Sequence, residues 1–207
     1  MRAKNKADTA RPSRLAQYLP WLLLIGGAIA LVSAFFLSAD YVKLLKNSHY
    51  QPVCNLNPIL SCTSVMGSRQ AHAFGIPNEF IGLAGYGMVL ASGIALLAGS
   101  KPARWSWRLH QAGLTFAVAF ITWLQFQTLY RIGALCIFCM IVWAVTIPMF
   151  WYTTLYNLRN RHIKLPRLFD GVVRFAYQFH AEILTTWYLV IIALILKRFW
   201  YYWKTVF

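Results

Sequence analysis

Charged residues are scarce in this chain, and acidic residues are scarcer still. Only 12% of the 207 residues are Asp, Glu, Lys or Arg, and only five of these are acidic. A soluble domain has roughly twice this charged fraction, which argues against an ordinary soluble fold. Hydrophobic residues make up 59% of the chain and aromatic residues 16%. This balance predicts a membrane protein, and the length predicts one domain.

The shortage of acidic residues leaves a formal net charge of +15. In a soluble protein such an excess would suggest nucleic-acid binding. Here no basic and aromatic module stands apart from the apolar runs, so we expect no nucleic-acid partner. The basic residues lie between apolar stretches, as expected of anchors on the cytoplasmic side of a membrane.

Four apolar stretches are each about as long as a helix that crosses a bilayer. They run at about residues 18–39, 80–98, 111–130 and 132–152. A fifth, at about 183–202, contains Lys197 and Arg198, so it either spans with these side chains reaching an interface or lies partly on the surface. The first stretch could instead be a cleaved signal peptide, whose apolar region would be shorter. We predict an all-α integral membrane protein, a four-helix transmembrane bundle with a fifth transmembrane helix.

These stretches divide the chain into four parts and give it an orientation. The parts are a tail at 1–19, a four-helix catalytic domain at 20–156 with a long loop at 40–79, a basic connection at 157–182, and the fifth helix with the C-terminal end at 183–207. Thirteen of the 20 Lys and Arg residues fall on the side of the tail, and seven on the other. Because basic residues mark the cytoplasmic side, we expect the tail in the cytoplasm and the long loop outside, in the inner cell membrane.

Cysteine is also rare, and the four cysteines form two pairs. Cys54 and Cys62 stand in the long loop with seven residues between them, whereas Cys136 and Cys139 form a C-x-x-C motif at the start of the fourth stretch. Both pairs are therefore expected on the oxidising side of the membrane. A helix start stabilises a thiolate, and a thiolate can exchange with a disulfide. The pattern predicts electron transfer, the outer pair meeting a protein and the inner pair a lipid-soluble carrier.

Simpler interpretations of the cysteines stay open at this stage. The outer pair could be a structural disulfide, and the inner pair could pack a buried helix. All four could bind zinc, although a gap of seven residues differs from the usual short ligand spacing. We expect no metal.

The order of the motifs resembles that of the vitamin K epoxide reductase family, particularly its bacterial branch, over about residues 20–156. The shared elements are Cys54-x7-Cys62, Ser68, Phe74-Gly75, Asn78 followed by Gly82, and Cys136-x-x-Cys139. Another type of four-helix disulfide oxidase has its C-x-x-C motif in the first outer loop, which is the reverse order. Bacterial relatives often carry a fused thioredoxin-like domain. Since this chain stops at Phe207, we expect a separate thioredoxin-fold protein to donate the electrons.

The resemblance implies a role for each cysteine. Cys54 would form a mixed disulfide with a DsbA-like partner. Cys62 would attack the inner disulfide at Cys136. Cys139 would then pass the electrons to a membrane quinone, either ubiquinone or menaquinone.

The resemblance also implies a quinone pocket. Ser68 and Asn78 would lie near the quinone, with the Asn78 amide donating to a quinone oxygen, and Phe74 would pack over the pocket. Trp143 stands where animal members have a tyrosine, so it would form a wall without supplying a hydroxyl. The alternatives are a turn role for Ser68 and a helix-capping role for Asn78.

Three functions fit these observations. We favour a thiol:quinone oxidoreductase that re-oxidises a DsbA-like protein, because a quinone is a suitable acceptor for so oxidising a partner. A vitamin K epoxide or quinone reductase would use the same thiols, but the short bacterial-style loop suits it less. A non-enzymatic membrane scaffold with two structural disulfides is the third.

Overall fold

The computed structural model describes residues 14–47, 49–57, 59–163 and 166–206. Its α-helices, in chain order, are α1 Arg14–Lys46, α2 Cys62–Met66, α3 Asn78–Leu97, α4 Arg104–Gln127, α5 Ile137–Arg159, α6 Asp170–Gln178, α7 His180–Arg198 and α8 Trp200–Val206. In this part of the chain, α1, α3, α4, α5 and α7 are long and apolar enough to cross a membrane. The prediction of an all-α membrane protein with a four-helix core and a fifth spanning helix is confirmed.

The first helix is longer than its apolar stretch suggests. Residues 1–13 of the predicted tail lie outside the described residues, and α1 already begins at Arg14. At its other end α1 continues to Lys46, so the first seven residues of the predicted 40–79 loop are helical. Asp40 is buried there and accepts a hydrogen bond from Tyr50 Oη at 2.8 Å. Basic residues in the last turn also favour the helix, because they oppose the negative end of its dipole.

Glycine allows α1 and α3 to approach closely. A Cβ atom at Gly93 would lie 2.6 Å from the backbone nitrogen of Leu24, and one at Gly27 would lie 2.9 Å from that of Leu90. A larger side chain at either position would force the helices apart. Small residues are used in this way where two helices pack within a bilayer.

The packing of the core helices leaves one side of the bundle open. α1 packs against both α3 and α5, while α4 packs against α5. α3 and α4 make little contact with each other. The space between these two helices is where the candidate site lies.

α7 is attached to the core through carbonyl groups that lack a helical partner. Pro148 has no N–H, so the carbonyl of Ala144 receives no bond from it within α5. Tyr188 of α7 donates to that carbonyl at 2.6 Å. After α4 the chain forms a π-helical turn at Thr128–Ile132, and Arg198 Nε donates to the carbonyl of Leu129 there at 2.6 Å. Arg198, which interrupts the apolar stretch, is thus used to hold α7 against the bundle.

Candidate active site

Two backbone hydrogen bonds join the outer loop to the segment that precedes α5. Ser61 N donates to the carbonyl of Leu135 at 2.9 Å, and Leu135 N donates to the carbonyl of Ile59 at 2.7 Å. Ser61 and Leu135 each stand directly before a cysteine. The two bonds therefore bring Cys62 and Cys136 side by side, although the two residues are far apart in sequence.

The four cysteines lie in a row across this junction. Cys54 and Cys62 form a disulfide, while Cys136 and Cys139 are free thiols. Cys62 Sγ lies 3.3 Å from Cys136 Sγ, and both residues are fully buried. Sulfur atoms at this distance can exchange disulfide bonds with only small side-chain movements. Cys54 is 4% exposed, so a partner protein can reach its sulfur only after the surrounding loop opens.

Cys136 caps the N-terminus of α5, as the sequence predicts for a C-x-x-C motif at a helix start. Its sulfur accepts a hydrogen bond from Cys139 N at 3.4 Å. The hydrogen bond from the Cys139 thiol lowers the pKa of Cys136 below that of an ordinary thiol, and the backbone N–H groups of Cys139 and Phe138 add to this effect against the opposing effect of burial. These hydrogen bonds favour the thiolate form of Cys136.

A cavity of about 600 Å³ fills the space between α3 and α4. Cys139 lines this cavity, whereas Cys136 lies behind it. The walls are mainly apolar and include Val89, Phe120 and Ile121. A pocket of this size with apolar walls and a few polar groups fits a small lipid-soluble molecule.

The predicted pocket residues do not all lie at this cavity. Ser68, Asn78 and Trp143 line it. Phe74 does not: it is 56% exposed and packs against Phe116 and Phe120, with ring centroids 6.1 and 5.3 Å apart. Since these two rings do line the cavity, Phe74 lies at its rim.

Ser68 and Asn78 differ in how far their polar groups are already used. Ser68 Oγ donates to the carbonyl of Val65 at 2.7 Å and accepts from Ala71 N at 3.2 Å, so this side chain caps a short 3-10 helix. Asn78 is the first residue of α3 and makes no capping bond. Its amide nitrogen donates to the carbonyl of Gln70 at 2.8 Å, and its buried Oδ1 has no partner. Asn78 therefore retains both an acceptor and an N–H for a ligand.

Sequence reasoning missed two ionisable residues of the cavity wall. Glu79 is 9% exposed, and His110 has a buried Nε2 without a hydrogen-bond partner. Both line the cavity. Each stands one residue before an apolar stretch, at 80–98 and 111–130, whereas in the structure both lie within spanning helices, where an ionisable residue usually serves a function. As for metals, the described residues contain no group of three or more His, Cys, Asp or Glu placed to hold one.

Comparison with known proteins agrees with this geometry. Residues 21–154 match the family model described as the vitamin K epoxide reductase family. The match covers well over half of the chain and includes all four cysteines and the cavity. No curated protein shows a significant match. The chain therefore belongs to the vitamin K epoxide reductase family, and it is a membrane oxidoreductase of the kind that couples disulfide and quinone chemistry.

Proposed function

We propose that the protein is a quinone-dependent thiol oxidase that re-oxidises a thioredoxin-fold, DsbA-like partner. The observation that carries the proposal is the 3.3 Å separation of Cys62 Sγ and Cys136 Sγ, together with the position of Cys139 on an apolar cavity. One end of this row of sulfurs lies in the outer loop and the other opens into the bundle. The row can therefore connect a protein thiol to a molecule dissolved in the membrane.

The proposed relay consists of ordinary thiol–disulfide exchanges. A thiolate of the partner attacks Cys54, and the partner's second thiol closes its disulfide, which leaves Cys54 and Cys62 reduced. Cys62 then attacks Cys136 of the inner disulfide and releases Cys139. Finally Cys54 attacks Cys62, which restores the outer disulfide and leaves the inner pair reduced. This last state has the bonding pattern of the structure, with the outer pair bonded and the inner pair free.

Docking of the partner is supported by the surface beside Cys54. Val53 is 80% exposed and Leu56 is 64% exposed, so two apolar side chains flank the buried sulfur. Together these two side chains offer a partner a small apolar contact surface beside Cys54. The partner would pack on these side chains while the loop opens and presents Cys54.

The cavity residues fit a quinone as the electron acceptor. A quinone supplies a two-electron sink when bound, and the apolar walls suit a lipid-soluble ring. Asn78 has a free N–H for a quinone oxygen and a free Oδ1 for the hydroxyl of the quinol product. Trp143 would form a wall and Phe74 the rim, while Ser68 would keep the loop against the cavity.

The proposed orientation puts the N-terminus in the cytoplasm and both cysteine pairs outside it. The distribution of basic residues supports this orientation. It also puts the cysteines in a compartment where a DsbA-like partner works, outside the cytoplasm at the inner cell membrane.

Reconstitution tests the proposal directly. The protein in vesicles that contain ubiquinone or menaquinone is mixed with a reduced DsbA-like protein, and quinone absorbance and partner thiols are followed together. We expect the wild type to oxidise the partner, Cys139→Ala to lose this activity, and a partner that lacks its second cysteine to stay bound to wild-type Cys54 as a mixed disulfide. Intact partner oxidation by Cys139→Ala would show that the proposal is wrong. The same vesicles with vitamin K epoxide test the reductase alternative, and thiol alkylation in quinone-depleted membranes tests the scaffold, in which both pairs would stay oxidised.

A further inference from the structure

Glu79 is one of only five acidic residues in the chain, and it is buried in the first turn of α3. Among the described residues, no Lys, Arg or His nitrogen lies within 4.0 Å of its carboxylate. A carboxyl group buried in a membrane helix without a salt bridge is costly, and such residues usually serve a function. The relay described above does not use Glu79.

The surroundings of Glu79 connect the inner cysteine pair to the cavity. Glu79 and Cys139 line the same cavity. From α5, both Cys136 and Cys139 lie within electrostatic reach of the carboxylate, and from the outer loop His72 does. On its own helix the next titratable group is Tyr86, whose hydroxyl is paired with Thr146 at 2.7 Å.

A second group leads from His72 towards the outside. His72 Nε2 lies 3.0 Å from Tyr41 Oη, and the two rings are 5.4 Å apart. Both side chains are partly exposed. His72 and Tyr41 are thus a hydrogen-bonded pair of proton-carrying groups, and His72 is the member that lies within electrostatic reach of Glu79.

We propose that Glu79 is a catalytic residue that transfers protons between the inner cysteine pair and the quinone, and that His72 exchanges those protons with the outer water. This inference rests on the proposed function. It adds a role that the exchange of sulfurs alone does not provide, namely the delivery of protons inside an apolar cavity.

The proton balance shows why such a route is needed. Closing the Cys136–Cys139 disulfide releases two electrons, and a quinone needs these two electrons and two protons to become a quinol. When Cys136 reacts as a thiolate its own proton has already left, so Cys139 carries the only proton of the pair. The second proton must come from outside, which fits the position of His72 within electrostatic reach of Glu79. In this step the Cys136 thiolate, the Cys139 thiol, one quinone and one proton from outside react to give the Cys136–Cys139 disulfide and one quinol.

The test uses the full-length protein in nanodiscs with the inner pair already reduced. A short-chain ubiquinone is mixed in, and a single turnover is followed by its absorbance. We expect Glu79→Gln to lower the rate constant at saturating quinone about 100-fold or more, the usual size of a general acid–base contribution. Glu79→Asp should keep most of the rate, and formate should partly rescue a Glu79→Ala variant. His72→Gln should give a smaller loss that is recovered as the pH is lowered.

Matched controls separate this role from a structural one. Glu182→Gln changes an exposed acidic residue in the first turn of α7 and should have no effect. Mixed-disulfide formation on Cys54 should proceed at the wild-type rate in every Glu79 variant. A wild-type rate in Glu79→Gln, or a loss confined to the quinone KM, would overturn the inference. Failure of the wild type to pass electrons from partner to quinone would instead overturn the proposed function, whatever Glu79 does.

Discussion

The two cysteine pairs touch through the sulfur atoms of Cys62 and Cys136, yet their surroundings differ. The outer pair lies in a loop that is held by polar groups: Asn55 and Thr63 bond each other twice, with Asn55 Nδ2 2.7 Å from Thr63 Oγ1 and Thr63 N 3.2 Å from Asn55 Oδ1. The inner pair lies at a helix start, and Cys139 opens on an apolar cavity. Cys54, Cys62 and Cys136 share one buried apolar cluster with Leu37 and Met66, so the difference lies beyond the sulfurs: a loop held by polar groups on one side, suited to a protein partner, and an apolar cavity on the other, suited to a membrane-dissolved molecule.

This difference indicates why two pairs are used where one could exchange electrons. A single pair would have to meet a protein surface and a lipid-soluble molecule from the same position. Here the two environments are separated, and only the contact between Cys62 and Cys136 crosses between them. Because both of these residues are fully buried, small thiols and water are kept from the sulfurs that carry out the transfer.

Removing the contact should have the largest effect. We expect Cys62→Ala to lower electron transfer from partner to quinone about 10⁴-fold or more, the scale of loss when a nucleophile is removed from a unit that acts together. Quinone reduction coupled to oxidation of the partner is the measurement.

The inner half should survive this change. A membrane-permeant dithiol that reduces the inner pair directly should still drive quinone reduction in Cys62→Ala. If Cys62→Ala also lost dithiol-driven quinone reduction, the inner pair could not be studied separately from the outer pair. If it kept partner-driven quinone reduction, electrons would not pass through the contact between Cys62 and Cys136.

Part of this comparison follows from the sequence. Long apolar stretches predict the spanning helices, because a helix must be about as long as the bilayer is thick, and the C-x-x-C motif was correctly assigned to a helix start. The resemblance implies that Cys62 meets Cys136, but the residue pattern alone could not predict this contact, since it depends on backbone bonds between Ser61, Leu135 and Ile59 that most residue types could make. The continuation of α1 to Lys46, into the predicted 40–79 loop, also depends on tertiary contacts. A polar residue such as Asp40 can continue a helix when a distant side chain, here Tyr50, satisfies it.

The cavity shows the same limit. Single residues that line it were identified by resemblance, whereas its walls depend on how α3 and α4 diverge. Phe74 was predicted to cover the pocket, but it contacts the cavity only through two other aromatic rings. Glu79 stands next to Asn78 in the sequence and was still overlooked, because hydropathy treats one acidic residue at a helix start as ordinary.

Filling the cavity should damage only the membrane-facing half. Gly85 lines the cavity, and a Cβ atom there would meet nothing within 4 Å. The side chain of Gly85→Ile would therefore occupy the cavity without disturbing helix packing. We expect the quinone KM to rise about 10- to 100-fold, the range for misfitting groups in an apolar pocket. Quinone reduction by the pre-reduced inner pair is the assay.

Gly87→Ile is the matched control. Gly87 also has nothing within 4 Å of an added Cβ atom, but it does not line the cavity. We expect its quinone KM to be unchanged, and mixed-disulfide formation on Cys54 to be normal in both variants. Equal damage from the two substitutions would mean that the helix, and not the cavity, is what the change affects.

The smallest effect concerns pH, and it tests how the inner pair prepares its nucleophile. The pKa of Cys136 is lowered chiefly by the hydrogen bond from Cys139, so its exchange with the outer disulfide can be compared in Cys139→Ser, which keeps a donor, and Cys139→Ala, which does not. Because the thiolate attacks, the rate should rise with pH and level off above the Cys136 pKa. It should level off at a lower pH in the serine variant than in the alanine variant.

The size of this effect follows from two opposing factors. For each unit by which the pKa rises, the thiolate fraction at neutral pH falls about tenfold. A thiolate of higher pKa is also a better nucleophile, and its own rate constant rises about threefold for the same unit. At neutral pH the exchange rate of Cys139→Ala should therefore be about threefold below that of Cys139→Ser for each unit by which its Cys136 pKa is higher. At high pH its rate should equal or exceed that of the serine variant. The measurement is the rate of disulfide formation between Cys62 and Cys136, quantified by mass spectrometry from neutral to high pH. Identical profiles for the two variants would mean that backbone N–H groups alone stabilise the Cys136 thiolate, and that the inner pair does not depend on its own second cysteine.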